Sequence, residues 1–294
     1  MSIRRQDFFT MIFFLHIAKT AGTTFQFILE NSLGIRHCHL GHLGYRVVDQ
    51  QDFDFARKFF PWMKSIAGHN LCDPTRFSAP DPFYITILRE PVMRVFSHYQ
   101  DELHRGKKTQ PFEEMLRTNP AFQNVQVKQL AGKADLGRAK QVLEKFHFVG
   151  LTEKFDLSLH MLDKICPVKL NMNYKRKVTA RDNTIKKSLE NDRRVVDMTR
   201  EMNKLDLELY DFAVKEIFPK FCAQTGFSPT DKVASYDRYS SELHPNFLLH
   251  RLYNQTFFRQ VCKLYKKRRA GATTATLSVL VYLSDFLDLA AMTA

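Results

Sequence analysis

No C-x-x-C pair occurs in this chain, and its five cysteines (Cys38, Cys72, Cys166, Cys222 and Cys262) are scattered and odd in number. That argues against a disulfide framework and suits a reducing compartment. Acidic residues are scarce relative to basic ones, 31 against 44, which leaves a net charge of +13. Such a surplus favours anionic partners: nucleotides, acidic glycans, nucleic acid or membrane headgroups. No stretch reaches the roughly 18 uninterrupted apolar residues that a membrane span needs. The nearest, LSVLVYLSDFLDLAAMT, is broken by Asp285 and Asp288 and reads as a helix packed on the body or on a partner. Internal repeats and low-complexity linkers are also missing, so nothing marks a clear domain boundary.

The amino-terminal MSIRRQDFFTMIFFLHI imitates a signal peptide, with Arg4 and Arg5 ahead of an apolar run. The run is short and β-rich, however, and cleavage near Ala18 or Ala21 would sever the segment richest in chemistry. The expected location is cytoplasmic and soluble, with a membrane-peripheral position as the alternative.

With 44% hydrophobic residues over 294 positions, the chain can build a substantial core. Apolar runs alternate with helical patterns. Residues 11–16 read as a strand and 23–31 as a helix capped by threonines. Residues 65–70 read as a short strand ending at a histidine. PFYITILREP (82–91) reads as a buried strand stopped by Pro91, with a helix from Met93 to about His104. Residues 146–165 repeat the pattern with Thr152 as the cap, and 183–221 are helical and highly charged. Strand, loop and helix in repetition predict an α/β fold with a mostly parallel sheet covered by helices. The expected organisation is one domain over 1–222 and a helical extension over 223–294, packed on it.

Between the first strand and helix stands HIAKTAGTTF (16–25). A tight turn there aims backbone N–H groups and the positive helix end at one spot suited to a phosphate. Gly22 permits close approach, Thr23 and Thr24 offer hydroxyls, and Lys19 supplies a point charge. An NTPase P-loop needs G-x-x-x-x-G-K-[ST]. Here the lysine comes first and no clear metal-binding aspartate follows, which points away from ATP with Mg²⁺. A second constellation, ILREPVMRVFSHY (87–99), puts Arg89 at a strand's carboxyl end and Ser97 on the next helix. Arginine can clamp a second phosphate there. Two phosphate sites on one sheet edge imply a nucleotide phosphorylated on both sides of its ribose.

These two motifs, K-T-x-G-T-T and R-[DE]-P-x-x-R-x-x-S-x-Y, resemble those of sulfotransferases that use 3′-phosphoadenosine 5′-phosphosulfate. The nearest in type are carbohydrate O-sulfotransferases of the heparan sulfate 2-O and 6-O kind and their bacterial relatives. NVQVKQLAG (124–132), FVGLTEKFDLSL (148–159) and LDLELYDFA (205–213) echo the same family. The resemblance implies a P-loop-like three-layer sandwich. It implies a cofactor loop of Lys19, Thr20, Ala21, Gly22, Thr23 and Thr24, and a 3′-phosphate site of Arg89 and Ser97. Ala21 stands where many relatives carry glycine, and Glu90 where aspartate is frequent. Lys19 would be the electrophilic stabiliser. His69 in AGHN would be the base, a role for which a histidine of near-neutral pKa is suited, although a structural histidine fits the position equally well.

RHCHLGH (36–42) suggests zinc through His37, Cys38, His39 and His42, but no second ligand pair accompanies it. It reads instead as a loop lining the acceptor cleft, with His39 or His42 as alternative bases, and no metal is expected. The basic runs at 174–187 and 263–269 are solvated faces or attract an acidic glycan or anionic membrane; nucleic acid is not expected. Sulfuryl transfer to a carbohydrate or related hydroxyl is the leading reading. A P-loop nucleotide-binding protein or kinase using ATP and Mg²⁺ remains the alternative, and a non-catalytic nucleic-acid or glycan binder is a third.

Overall fold

The computed structural model describes residues 10–44, 47–60, 62–106, 110–174, 184–237 and 245–269. The signal-like residues up to 9, the middle of the 174–187 basic run and the apolar tail lie outside these. Five strands, β1 (Met11–Leu15), β2 (His37–His39), β3 (Ser65–Gly68), β4 (Pro82–Leu88) and β5 (Phe148–Leu151), form one sheet in the order β2-β3-β1-β4-β5. Every pairing is parallel. The expected α/β sandwich is therefore observed.

Strand composition explains the layering. β1 is MIFFL, buried at every position, so both of its faces must be covered. On one face Phe13 meets Phe53, Phe77 and Tyr84, with ring centroids 5.6, 6.1 and 5.6 Å away. On the other, Phe14 packs edge-on against Phe25 at 4.6 Å. Phe25 belongs to α1 (Gly22–Leu33) and Phe53 to α2 (Gln50–Phe59), so these two helices lie over opposite faces.

The helices that follow, as far as residue 225, are α3 (Pro91–His104), α4 (Phe112–Thr118), α5 (Val125–Ala131), α6 (Leu136–Glu144), α7 (Phe155–Ile165), α8 (Thr184–Asn191), α9 (Arg193–Met202), α10 (Lys204–Phe212) and α11 (Phe218–Thr225). Short polar side chains start several of them. Asp49 and Asp52 form a capping box on α2, and Asp135 and Asp192 cap α6 and α9. A smaller core of Val95, Phe96, Phe112, Leu116 and Phe122 lies beneath α3 and α4.

Three local expectations need correction. No threonine caps α1: its first turn is entered from Ala21, which is left-handed and makes no side-chain cap bond. Thr152 does not cap a helix either, because its hydroxyl reaches back to the Leu88 carbonyl at 3.0 Å, and a 3-10 turn precedes α7. Residues 37–39 are not loop but the edge strand β2, held by register with Ser65 and Ala67.

α11 runs through residues 222 and 223. Farther on, α12 (Pro245–Leu252), a π-helical stretch (Tyr253–Phe258) and α13 (Arg259–Arg269) return to the body. Phe247 meets Phe27 at 5.1 Å, Tyr265 stacks on Phe55 at 3.7 Å, and Tyr265 and Arg269 bond Asp52 at 2.9 and 2.8 Å. Among the described residues no helix is long and apolar enough to cross a membrane.

Candidate functional site

The strand order changes direction at β1. From it the chain passes to β2 and β3 on one side and afterwards to β4 and β5 on the other. Open parallel sheets bind ligands at such a point, outside the carboxyl ends of the strands. The loop after β1 and Arg89 after β4 flank this crevice, so topology alone brings the two sequence motifs together.

The loop is shaped by backbone conformation. Lys19 and Ala21 both have positive φ, 69° and 63°, in the region L-residues rarely adopt. Strain of this kind persists only where the surroundings enforce it. Thr20 between them is fully buried, and its hydroxyl donates to the Ile17 carbonyl at 3.0 Å, so its side chain is spent on shaping the loop. Gly22 is required by His16: a Cβ there would lie 2.0 Å from the imidazole. Thr23 is exposed and Thr24 partly so, both in the opening turn of α1.

Arg89 closes the other side. Its Nη1 donates to the Lys19 carbonyl at 2.9 Å, while its Nε is a buried donor without a protein acceptor. The amide of Gln126 grips the Arg89 backbone in both directions, accepting from its N–H at 3.0 Å and donating to its carbonyl at 2.9 Å. Gln126 in turn is fixed by Asp206, which accepts from the N–H groups of Gln126 and Val127 at 3.1 and 2.8 Å. Arg94, two turns before Asp101 and wholly buried, adds a cation behind this network and is itself lowered to about 10 by burial.

α3 presents a charged face to the loop. Its start is fixed by Pro91 and by the Glu90 carboxylate, which accepts from the Met93 N–H at 2.7 Å. Ser97, Asp101 and Arg105 follow at four-residue spacing, hence on one side. Asp101 stands 3.3 Å from Lys19 Nζ and 3.0 Å from Arg105. Burial pushes the Lys19 ammonium below its ordinary 10.5; Asp101 opposes that shift, and Arg105 and Arg89 reinforce it.

His69 follows the end of β3; the residue keeps a solvent-facing edge, while its ring is packed against His16. Its Nδ1 lies 2.9 Å from the His16 carbonyl, an oxygen that can only accept, so Nδ1 carries the proton and Nε2 the lone pair. Burial, with Arg105 and Lys19, draws its pKa below 6.5 against the pull of that carbonyl. The rings of His16 and His69 are 3.9 Å apart. Gln129 ties the pair together, its Nε2 within 3.1 Å of the His16 and His69 carbonyls. His39 and His42 form a separate edge-on pair with centroids 6.0 Å apart, and burial lowers His39 to about 3.

The structure therefore brings Lys19 and Arg89 into direct contact, with Ser97 on the face of α3 that also carries the Lys19 partner Asp101. His37, Cys38, His39 and His42 do not converge on one point. Alternation along β2 sends Cys38 to the face opposite His37 and His39. Sequence reasoning missed His16, Asp101, Arg105, Gln126 and Gln129. The i, i+4 spacing from Ser97 was a signal for the acid and the arginine. The glutamines gave none beyond lying in the NVQVKQLAG echo.

No curated protein matches the chain. A family model described as the sulfotransferase family matches residues 6–213, from just before β1 through the whole of α10. Since that match takes in the sheet, the loop and α3, the chain belongs to the sulfotransferase family, and its reaction class is sulfuryl transfer.

Proposed function

We propose that the protein transfers the sulfuryl group of 3′-phosphoadenosine 5′-phosphosulfate to a hydroxyl of a carbohydrate or related acceptor. The observation that carries this reading is the Arg89 to Lys19 hydrogen bond, which unites two anion-binding motifs in one crevice. The residues fit the donor: the buried Nε of Arg89 lacks an acceptor, and the left-handed turns at Lys19 and Ala21 shape a backbone cradle for an oxyanion.

In this reading Lys19 and the backbone from Thr20 to Thr24 hold the 5′-phosphate side, and Arg89 and Ser97 the 3′-phosphate. His69 Nε2, with its lone pair fixed by the His16 carbonyl, takes the proton of the acceptor hydroxyl as that oxygen attacks sulfur in line. Lys19 stabilises charge developing on the departing phosphate, a term that grows in the transition state. Lys263, Lys266 and Lys267, exposed along α13, and the net charge of +13 support an anionic acceptor.

Calorimetric titration tests the donor. The protein without added metal should bind 3′-phosphoadenosine 5′-phosphate, and Lys19→Ala and Arg89→Ala should weaken that binding. Binding of ATP with Mg²⁺ in place of the bisphosphate would overturn the assignment. Acceptor screening with radiolabelled donor then decides between carbohydrate and other hydroxyls.

A further inference from the structure

A second cluster lies at the opposite, amino-terminal end of the sheet. Glu30 on α1, His37 at the start of β2 and His250 on α12 each place one ligand atom within 4.8 Å of the others. The Glu30 carboxylate and His250 Nε2 are 3.7 Å apart, and the two imidazole centroids 5.3 Å. His37 is fully buried and His250 nearly so.

The hydrogen bonds around these rings resemble the outer shell of a metal site. Ligating histidines commonly donate their second ring N–H to a carbonyl, carboxylate or water, which fixes the tautomer. His250 Nδ1 has the Gly34 carbonyl at 3.1 Å and the Asn254 amide nitrogen at 3.0 Å, and that amide nitrogen donates to the His250 carbonyl; with the Nδ1 proton on the Gly34 carbonyl, Nε2, 3.7 Å from Glu30, has the lone pair. His37 Nδ1 bonds Ser65 Oγ at 2.7 Å, and its Nε2 is buried with no hydrogen-bond partner. An orphaned buried ring nitrogen costs stability unless something occupies it. Glu30 is oriented by Gln26, which donates to Oε1 at 2.7 Å.

We propose that Glu30, His37 and His250 bind one divalent transition-metal ion, with zinc the best match to two imidazoles and a carboxylate. Four-coordinate zinc would bring ligand atoms to about 3.4 Å from one another, given bonds of about 2.1 Å. The Glu30–His250 pair is already close to that spacing. Glu30 is only partly buried, and a water would complete the shell as the fourth ligand. Lys19 and Arg89 follow the carboxyl ends of β1 and β4, whereas His37 opens β2, so the ion takes no part in sulfuryl transfer. Its work is to clamp α12 onto α1 and the sheet edge.

The test is metal uptake by the full chain after chelator treatment and dialysis. One equivalent of Zn²⁺ should bind, the thermal unfolding midpoint should rise with added zinc, and Co²⁺ should give the intense visible bands of a low-coordinate site. X-ray absorption at the zinc edge should count two imidazoles and no sulfur. Glu30→Gln retains the bond to Gln26 and should bind zinc at least tenfold more weakly; His250→Gln should do the same. Absence of stoichiometric uptake, a sulfur ligand, or unchanged uptake in a folded Glu30→Gln variant would overturn the proposal. Titration with the bisphosphate nucleotide is a separate measurement, so either result stands without the other.

Discussion

Arg89 and Lys19, 70 residues apart in the chain, are joined by a hydrogen bond from the Arg89 guanidinium to the Lys19 backbone carbonyl at 2.9 Å. The bond spends one arginine donor on shaping the loop and leaves the buried Nε without a protein acceptor, which in the proposed reading serves the 3′-phosphate. A lysine ammonium has three donors but all on one nitrogen, so it cannot reproduce the planar fork that reaches the carbonyl and a second group in different places. Arg89→Lys should therefore weaken binding of the bisphosphate nucleotide about 10- to 100-fold, or ~1.4 to 2.8 kcal/mol. Calorimetry measures this directly, and an unchanged affinity would remove Arg89 from the site.

Gly22→Ala addresses the packing of the loop. The added methyl would overlap the His16 ring, which has no room to retreat between Phe14 and His69. A loss of roughly 1 to 3 kcal/mol is expected from such overpacking, together with weakened nucleotide binding. Denaturant unfolding and calorimetry would show both, and a variant as stable as the parent would mean that His16 relocates at no cost.

Asp101→Asn separates attraction from positioning. The carboxylate now draws on both Lys19 and Arg105. Neutralising it should tighten bisphosphate binding several-fold, because an anion no longer competes with Asp101, while kcat falls about tenfold or more as Lys19 loses its orientation. A parallel loss in affinity and turnover would contradict this split.

The pH dependence of kcat/KM follows from two shifted groups. A base must be unprotonated, and His69 is lowered below 6.5, so activity should be lost only as pH falls below that value. Lys19 must keep its proton and is lowered below 10.5, so the alkaline limb should lie under that figure. His69→Ala should abolish the acid limb along with most turnover; a retained limb would move the base to His39, His42 or a carboxylate.

Stability should respond to acid before the carboxylates titrate. His16 is held well below 6.5 by burial, and His98 is lowered to about 4. Between those folded values and 6.5 the unfolded chain binds more protons, so stability is complete above 6.5 and declines as pH drops, by roughly 1.4 kcal/mol per pH unit for each group. Thermal unfolding at pH 7 and pH 5 checks the sign.

The sheet, and the two loops that meet at its crevice, were legible in the sequence because MIFFL and PFYITIL are near-continuous apolar runs followed by turn chemistry. β2 was not, since HCH is short, polar and defined only by its pairing with β3. The shape of the loop was hidden too: lysine and alanine give no hint of a left-handed backbone, which tertiary contacts impose. Gln126 and Gln129 act by binding main-chain groups from distant segments, and nothing local in a glutamine reports that. The cluster of Glu30, His37 and His250 has no sequence spacing at all, because it forms only when α12 returns to β2.

Sheet topology also orders events during synthesis. β1 leaves the ribosome first, yet its neighbours begin only at Ser65 and Pro82, and β5 at Phe148. Parallel neighbours cannot zip from a hairpin and must wait for the crossover between them. Until Leu88 has emerged, MIFFL is a phenylalanine-rich strand with at least one edge open, the kind of segment that captures a second copy of itself. A nascent chain of this protein should therefore depend on holding chaperones, and refolding from denaturant should lose yield steeply as protein concentration rises.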